Sequence, residues 1–574
     1  MLSYNLLHES WIPVRPVGGG PVREVGLRDL LLRARAFGRI DDPSPLVTAA
    51  LLRLSLALLH RALAGPRSAE EAAGWFLNGF PAEKLEAYFG QWEGGFDLFH
   101  PERPFWQVRD LTPDLEGGKY RSHWTRLGTE VGSANTSPLF NVAARPGGER
   151  TDALTPAEAA RRLVEGQTFL LGGLIKRFTT AAKAAPVATF ALTAVQGRDL
   201  HETLCLNLPV YAAQSHDRAV WERELLTVQF MRDLYEDEAT EIPLGWADRY
   251  TWPARSVRLV PELDEAGEVR VTAIGFAAGV PFAGPPEGEG AAIDPMVTLR
   301  PPANPKKPEY FPLKLRREQL LWRDLSALLP DPHAERATQV KGKGEEQVVS
   351  FSERTGRPPA VLTGARELLR EAGRPQAIGL TVTGLLSDQG KAFAYRQESY
   401  ALPEAFVTDE AGFADAVHNA LNGARGVADG LRTATRKLAA EVISRGGDRE
   451  PHKDDVAKLV QTLPGLGAYW AALENPFRVL LADLDTPEAA LDTWRSAVER
   501  EAHRAWAMNL QGAGAGGAVH GYAYRPRVAD NKRQISPQRT LELALKALRT
   551  GTAPNSIGPD STAPDSNPAE EATP

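Results

Sequence analysis

Cysteine is almost absent: Cys205 is the single one in 574 residues. That excludes an internal disulfide framework and any zinc site built from several thiolates. It also agrees with a reducing compartment. An excess of positive charge is missing too. The chain has 66 Lys and Arg against 73 Asp and Glu, a formal charge of −7. A protein that coats nucleic acid over most of its surface should be basic, so only a local basic patch stays open. Long apolar runs are scarce. The most apolar stretch, 46–63, is broken by Arg53, His60 and Arg61. It reads as too polar for a bilayer span and fits a buried or amphipathic helix. The N-terminus has no basic start followed by an apolar block. No membrane partner is expected, and a cytoplasmic location is.

Familiar catalytic patterns are missing in the same way. The 11 histidines are scattered, the closest pair being His201 and His216. No helix can therefore carry the i, i+4 pair of a metalloprotease. There is no Gly-x-Ser-x-Gly elbow. The stretch 384–391 looks like a phosphate loop, but it has one residue too many between Gly384 and Gly390. Ala392 also stands where a magnesium-binding hydroxyl is required. Gly512 to Gly517 formally match the dinucleotide pattern, yet they follow a helix and read as an interhelical loop. No metal and no cofactor are expected.

What is present is an ordinary globular composition, 43% apolar and 24% charged, long enough for several cores. The pattern predicts an α+β chain. A large irregular N-terminal domain mixing helices and strands, over 1–403, precedes a helical bundle over 404–550. The first residues read as strand, turn, strand, then a helix from Leu27. The aromatics Trp92, Phe96, Phe99, Phe105 and Trp106 read as core in irregular sequence. Thr155, Pro156 and Glu158 predict a capped helix over 156–164, alone in an otherwise loop-like 112–173. Strands are expected at 256–261, 269–276 and 377–383, and helices at 200–208 and 318–329. After Pro403, apolar residues recur at helical spacing from Phe413 to Leu431, then around Val456, Tyr469, Trp494 and Leu541. The last segment, 551–574, is acidic and proline-rich and predicts a disordered tail.

Basic residues beside small ones mark loops that could meet phosphate: Lys176, Arg177 and Lys183 around Gly172-Gly173, then Lys306 and Lys307. Solvated loop charge is the plainer reading of each cluster alone.

Together, several segments resemble a known family. Asn5-Leu-Leu-His-Glu-Ser-Trp11-Ile-Pro-Val-Arg15 opens the series. Trp92, Phe96 to His100 and Pro104-Phe105 follow, then Gly197 to Asn207, Asp294-Pro-Met296, Trp322-Arg-Asp324 and Gly384 to Gly390. In this order they resemble the large (CasA-type) subunit of the type I-E CRISPR Cascade complex, over residues 1 to about 550. The resemblance implies an α/β N-terminal domain followed by a C-terminal four-helix bundle, and a non-catalytic protein working with the other Cascade subunits and crRNA. Such a protein reads the protospacer-adjacent motif of target double-stranded DNA, promotes opening and R-loop formation, and helps recruit the Cas helicase-nuclease. It places the duplex wedge on Gln389, with Asp388 and Gly390 beside it. The minor-groove glycine loop falls on Gly172 and Gly173, and the loop docking on the crRNA 5′ end on Phe140, Asn141 and Val142. Lys176, Arg177, Lys183, Lys306 and Lys307 are candidates for the DNA backbone. A lysine is implied near Val280-Pro281, where none stands; Arg270 or Lys306 could replace it, or motif preference differs. An enzyme with an unfamiliar site and a scaffold without DNA contact are the rival readings.

Overall fold

A computed structural model of the chain describes residues 2–128, 153–175, 177–211, 216–282, 293–300, 310–330, 339–341, 346–348, 356–388, 391–447, 450–514, 516–526, 528–529, 532–533 and 535–551. The chain divides into two compact units, 1–415 and 416–574. The helix Glu410–Ser444 runs across that division.

The first unit is organised around the helix Pro45–Leu63. Ser44 caps it by accepting from the Val47 amide, Pro45 starts it, and Ala64 ends it in the left-handed region. By length and composition this helix could cross a membrane, contrary to the sequence reading, but 83% of its most apolar window is buried inside the protein. Its three polar breaks have partners: Arg53 meets Asp294, Arg61 meets Glu222, and His60 Nδ1 meets the Gly65 carbonyl. Among the described residues, three three-stranded antiparallel sheets belong to the same unit. In the first, Ile12–Pro16 lies between Arg23–Val25 and Phe37–Ile40. In the second, Ile378–Asp388 lies between Leu192–Gln196 and Lys391–Leu402. In the third, Val269–Ala278 lies between Arg121–His123 and Arg255–Leu263.

Phe96, Phe99, Phe105 and Trp106 are buried, as their clustering suggested. The sequence around them is less irregular than expected. Helices Ala69–Asn78 and Ala82–Trp92 precede them, and Ala360–Glu371 is a further helix that the pattern did not announce. The expected helix at 318–329 is instead a 3-10 run, Leu321–Leu328. The Leu321 amide, one of the N-terminal donors that either kind of helix leaves unpaired, is taken by both carboxylate oxygens of Glu398, at 3.1 and 2.9 Å.

The second unit is helical. Gly465–Asp483, Pro487–Ala513 and Pro537–Thr550 join the long helix that enters from the first unit, with Lys453–Thr462 and Gly517–Tyr524 as shorter pieces. Val417, Leu421, Ala424, Ala428 and Leu431 are buried along one side of the long helix. Tyr469 donates to the Ala424 carbonyl and Trp494 Nε1 to the Ala420 carbonyl. Lys453–Thr462 buries no side chain, so its apolar spacing does not face a core.

His60 supplies a pH prediction. It is fully buried, its Nε2 has no hydrogen-bond partner among the described residues, and burial pushes its pKa down to about 4. The unfolded chain takes up this proton near pH 6.5. The contribution to stability is therefore complete above 6.5 and lost as pH falls towards 4, about 3 kcal/mol in all. The melting temperature should drop across that window, and His60→Gln should flatten the drop. The same acid limb in the variant would assign it to other groups.

Candidate nucleic-acid interface

Gly172 and Gly173 lie in an excursion of chain that starts where the helix Pro156–Phe169 ends. Thr155 and Glu158 form a reciprocal capping box at the start of that helix. The two sides of the excursion pair: Ala185 N donates to Leu170 O at 2.9 Å, and Gly173 and Ala182 exchange both main-chain bonds, at 3.1 and 2.9 Å. The glycines do different jobs. A Cβ on Gly172 would lie 2.9 Å from the Ala182 carbonyl oxygen, so Gly172 lets the two sides close. Gly173 has φ +156 and open space where its Cβ would be, so the open side of the backbone is here.

Arg255 fixes the base of this excursion. Its side chain is buried, and among the described residues its guanidinium donates to main-chain carbonyls: Lys183 at 2.8 Å, Ala254 at 2.6 Å, Leu170 at 3.4 Å, and Leu171. Both sides of the excursion are thus gripped at once. Burial pushes the Arg255 pKa down to about 10. Gln167 locks the Arg255 main chain in turn, accepting from its N–H at 2.8 Å and donating to its carbonyl at 2.9 Å.

The far side is tied as well. Arg177 donates to Ser122 Oγ at 3.0 Å, to Phe276 O at 3.1 Å and to Arg121 O at 3.2 Å. Phe178 stacks on Tyr235, with centroids 6.3 Å apart. Arg177 is thus committed to the protein's own main chain, whereas the Lys183 side chain is exposed.

The strand expected at 377–383 is the first arm of a hairpin. Ile378–Asp388 and Lys391–Leu402 pair from Ile378↔Leu402 to Asp388↔Lys391. This also removes the phosphate-loop reading, because Gly384 sits within a strand. A Cβ there would come 3.0 Å from both Leu315 Cδ1 and the Phe190 carbonyl oxygen, so this glycine serves close packing. Two side chains of the return strand brace the hairpin. Arg396 Nη2 donates to the carbonyls of Arg316, 2.9 Å, and Gln319, 2.8 Å. The buried Glu398 accepts from Leu321 N and from the Tyr400 hydroxyl, at 2.5 Å, and forms an ion pair with the Arg396 guanidinium, whose Nε lies 2.9 Å away. The chain runs directly from the glycine-bearing excursion into Leu192–Gln196, a strand of the hairpin's sheet.

Gln389, Gly390, Phe140, Asn141, Val142, Lys176, Lys306 and Lys307 lie outside the described residues. Val280, where the resemblance implied a lysine, is buried, and its carbonyl accepts from Trp252 Nε1 at 3.1 Å. Arg270 is paired with Asp264 at 3.2 Å. Sequence reasoning missed Arg255, Gln167, Arg396 and Glu398. Cys205 comes within 3.6 Å of His201 Nε2, a pairing that could suggest a nucleophile. Burial pushes the thiol well above and the imidazole below their ordinary values, so both stay neutral.

A family model described as CRISPR-associated protein Cse1 matches residues 5–505. A Thermus thermophilus protein, CRISPR-associated protein CasA/Cse1, is 37% identical over 524 residues, covering 90% of this chain and 94% of the relative. The crystal structure of Thermus thermophilus CasA matches with a TM-score of 0.73 and 33% identity, covering 96% of this chain and all of that one (100%). A chain of a CRISPR RNA-guided surveillance complex shares the fold at 20% identity, with a TM-score of 0.63 over 96% of this chain and 100% of its own. A match that spans both units and takes in nearly every landmark of the sequence has one meaning: the chain belongs to the Cse1 (CasA) family of CRISPR-associated proteins.

Proposed function

We propose that this chain is the DNA-reading large subunit of a type I-E Cascade complex. It recognises the protospacer-adjacent motif in duplex DNA through the excursion at Gly172 and Gly173. It then parts the strands with Gln389, flanked by Asp388 and Gly390, so that the crRNA can invade and form an R-loop. Phe140, Asn141 and Val142 dock it on the crRNA 5′ end among the other Cascade subunits, and the assembled complex recruits the Cas helicase-nuclease. The protein acts in the cytoplasm, is not an enzyme and uses no cofactor. Lys183 is the described cation best placed to take a phosphate near the glycines, and Lys176, Lys306 and Lys307 are further candidates.

The observation that carries this reading is the braced hairpin Ile378–Leu402 within a Cse1-family chain. A strand pair held by Arg396 and Glu398 can push one residue into a base step without bending away. Unstacking a step costs on the order of a few kcal/mol, which a stiff support must transmit. Gln389→Ala should bind motif-containing duplex nearly as the wild type does but open it more slowly. On a target pre-melted beside the motif the defect should largely disappear. Wild-type opening of intact duplex by the variant would remove Gln389 from this role. Binding of duplex DNA that weakens steeply with salt separates this reading from a scaffold without DNA contact.

A further inference from the structure

The return strand of the hairpin carries two large aromatic side chains that the fold leaves in solvent. Phe393 is 49% exposed and Tyr395 43%. Phe393 owes its position to a register shift. Leu386 pairs with Ala394 but Ser387 pairs with Ala392, so Phe393 is the extra residue of a β-bulge. A bulge leaves its residue unpaired and re-aims the side chain. From Tyr395 onward the strand alternates: Tyr395, Gln397 and Ser399 face solvent while Glu398 and Tyr400 are buried.

Cations stand beside the rings. The Arg317 guanidinium lies over the Phe393 ring, 5.7 Å from its centroid. Lys314 and Arg316 are exposed in the same segment, which Arg396 ties to the strand through the Arg316 and Gln319 carbonyls. On the other side, Gln397 and Ser399 carry the face into an open cleft of about 720 Å³ lined by Arg15 and Arg39, both paired with Asp41, and by Arg198, paired with Glu202. From Phe393 to Ser399 the strand spans about 20 Å. Aromatic faces interleaved with cations on a rigid strand suit single-stranded nucleic acid, whose bases stack on rings and whose phosphates meet the cations.

We infer that Phe393, Tyr395 and Arg317 form a stacking platform for unpaired DNA bases released where the duplex opens. This rests on the reading of the hairpin as the element that enters the duplex. It adds where bases go once they are parted.

The test uses the full chain and a single-stranded DNA oligonucleotide carrying 2-aminopurine, whose fluorescence falls on stacking. Wild-type protein should quench the probe. Phe393→Ala with Tyr395→Ala should weaken binding about tenfold or more per ring, leaving the melting temperature and the salt slope unchanged. Arg317→Ala should instead lower the salt slope by about 0.7. Phe393→Trp should retain binding. Phe393→Leu with Tyr395→Leu keeps apolar bulk but removes the rings, so wild-type binding by that pair would overturn the platform. Tighter binding of the matching RNA oligonucleotide would overturn the assignment to DNA. Wild-type protein that quenches the probe yet never opens a duplex would keep the platform and remove the hairpin reading. Opening without quenching would do the reverse.

Discussion

Asp294→Ala is expected to destabilise the first unit by about 4 kcal/mol. Arg53 reaches both oxygens of this carboxylate, at 3.0 and 2.7 Å, from the middle of the helix Pro45–Leu63. Arg249 reaches it from the helix Trp246–Tyr250, at 3.3 Å. All three groups are buried, and the Arg53 guanidinium lies 4.4 Å from the centroid of the Tyr250 ring. Burial alone would raise the Asp294 pKa, but the two guanidiniums outweigh it and hold the carboxyl below its usual range. Without the carboxylate, two buried cations face each other unneutralised, a worse outcome than losing any single hydrogen bond. The midpoint of urea unfolding should shift strongly, and Asp294→Asn, which keeps the shape, should shift it nearly as far. Replacing the trio together, Arg53→Met with Asp294→Leu and Arg249→Met, should recover much of the loss. An unchanged midpoint in Asp294→Asn would show that the charge is not what matters.

Arg255→Met should cost about 3 kcal/mol and, on the reading of the glycines given above, abolish motif-dependent binding of duplex DNA. Its guanidinium has main-chain carbonyls on both sides of the excursion as partners. Removing it takes a donor from the Lys183, Leu171 and Ala254 carbonyls, the last of them buried, at about 1–3 kcal/mol for a buried acceptor, while relieving the cost of burying a cation. The carbonyls outnumber the cation, so the loss wins. Arg255→Lys keeps the charge but not the planar fork, and should fall between the two. Binding to motif-free DNA should survive better than binding to motif-bearing DNA. Equal loss of both in a folded variant would detach the excursion from motif reading.

The parts legible in the sequence are those whose signals are local. Thr155-Pro156 with Glu158 announces a helix start because the cap and its partner sit within one turn. The first arm of the hairpin was legible as an extended run at 377–383. Its bracing was not, because Glu398 and Leu321 are far apart in sequence and a buried glutamate looks like any other. Arg255 was silent for a deeper reason: main-chain carbonyls have no letter of their own. Phe393 looked like an ordinary strand residue, since a register shift depends on the partner strand. The 3-10 run at Leu321–Leu328 carries the apolar spacing of an α-helix, and over so short a stretch that spacing does not separate the two. The two helices before Phe96 were hidden by aromatic density, which drew attention to packing rather than period.

The grip of Arg255 on main-chain oxygens has a consequence for how this protein can change. An anchor that ignores side chains leaves the held segment open to drift. Within the excursion, Gly172, Gly173, Arg177 and Phe178 answer to geometry and Ala182 and Ala185 are buried, whereas Leu174, at 73% exposure, and the exposed Thr180 carry no such demand. A population under pressure from altered DNA could therefore trial new letters at those free positions one at a time. Each trial would leave the mount intact and the fold untouched.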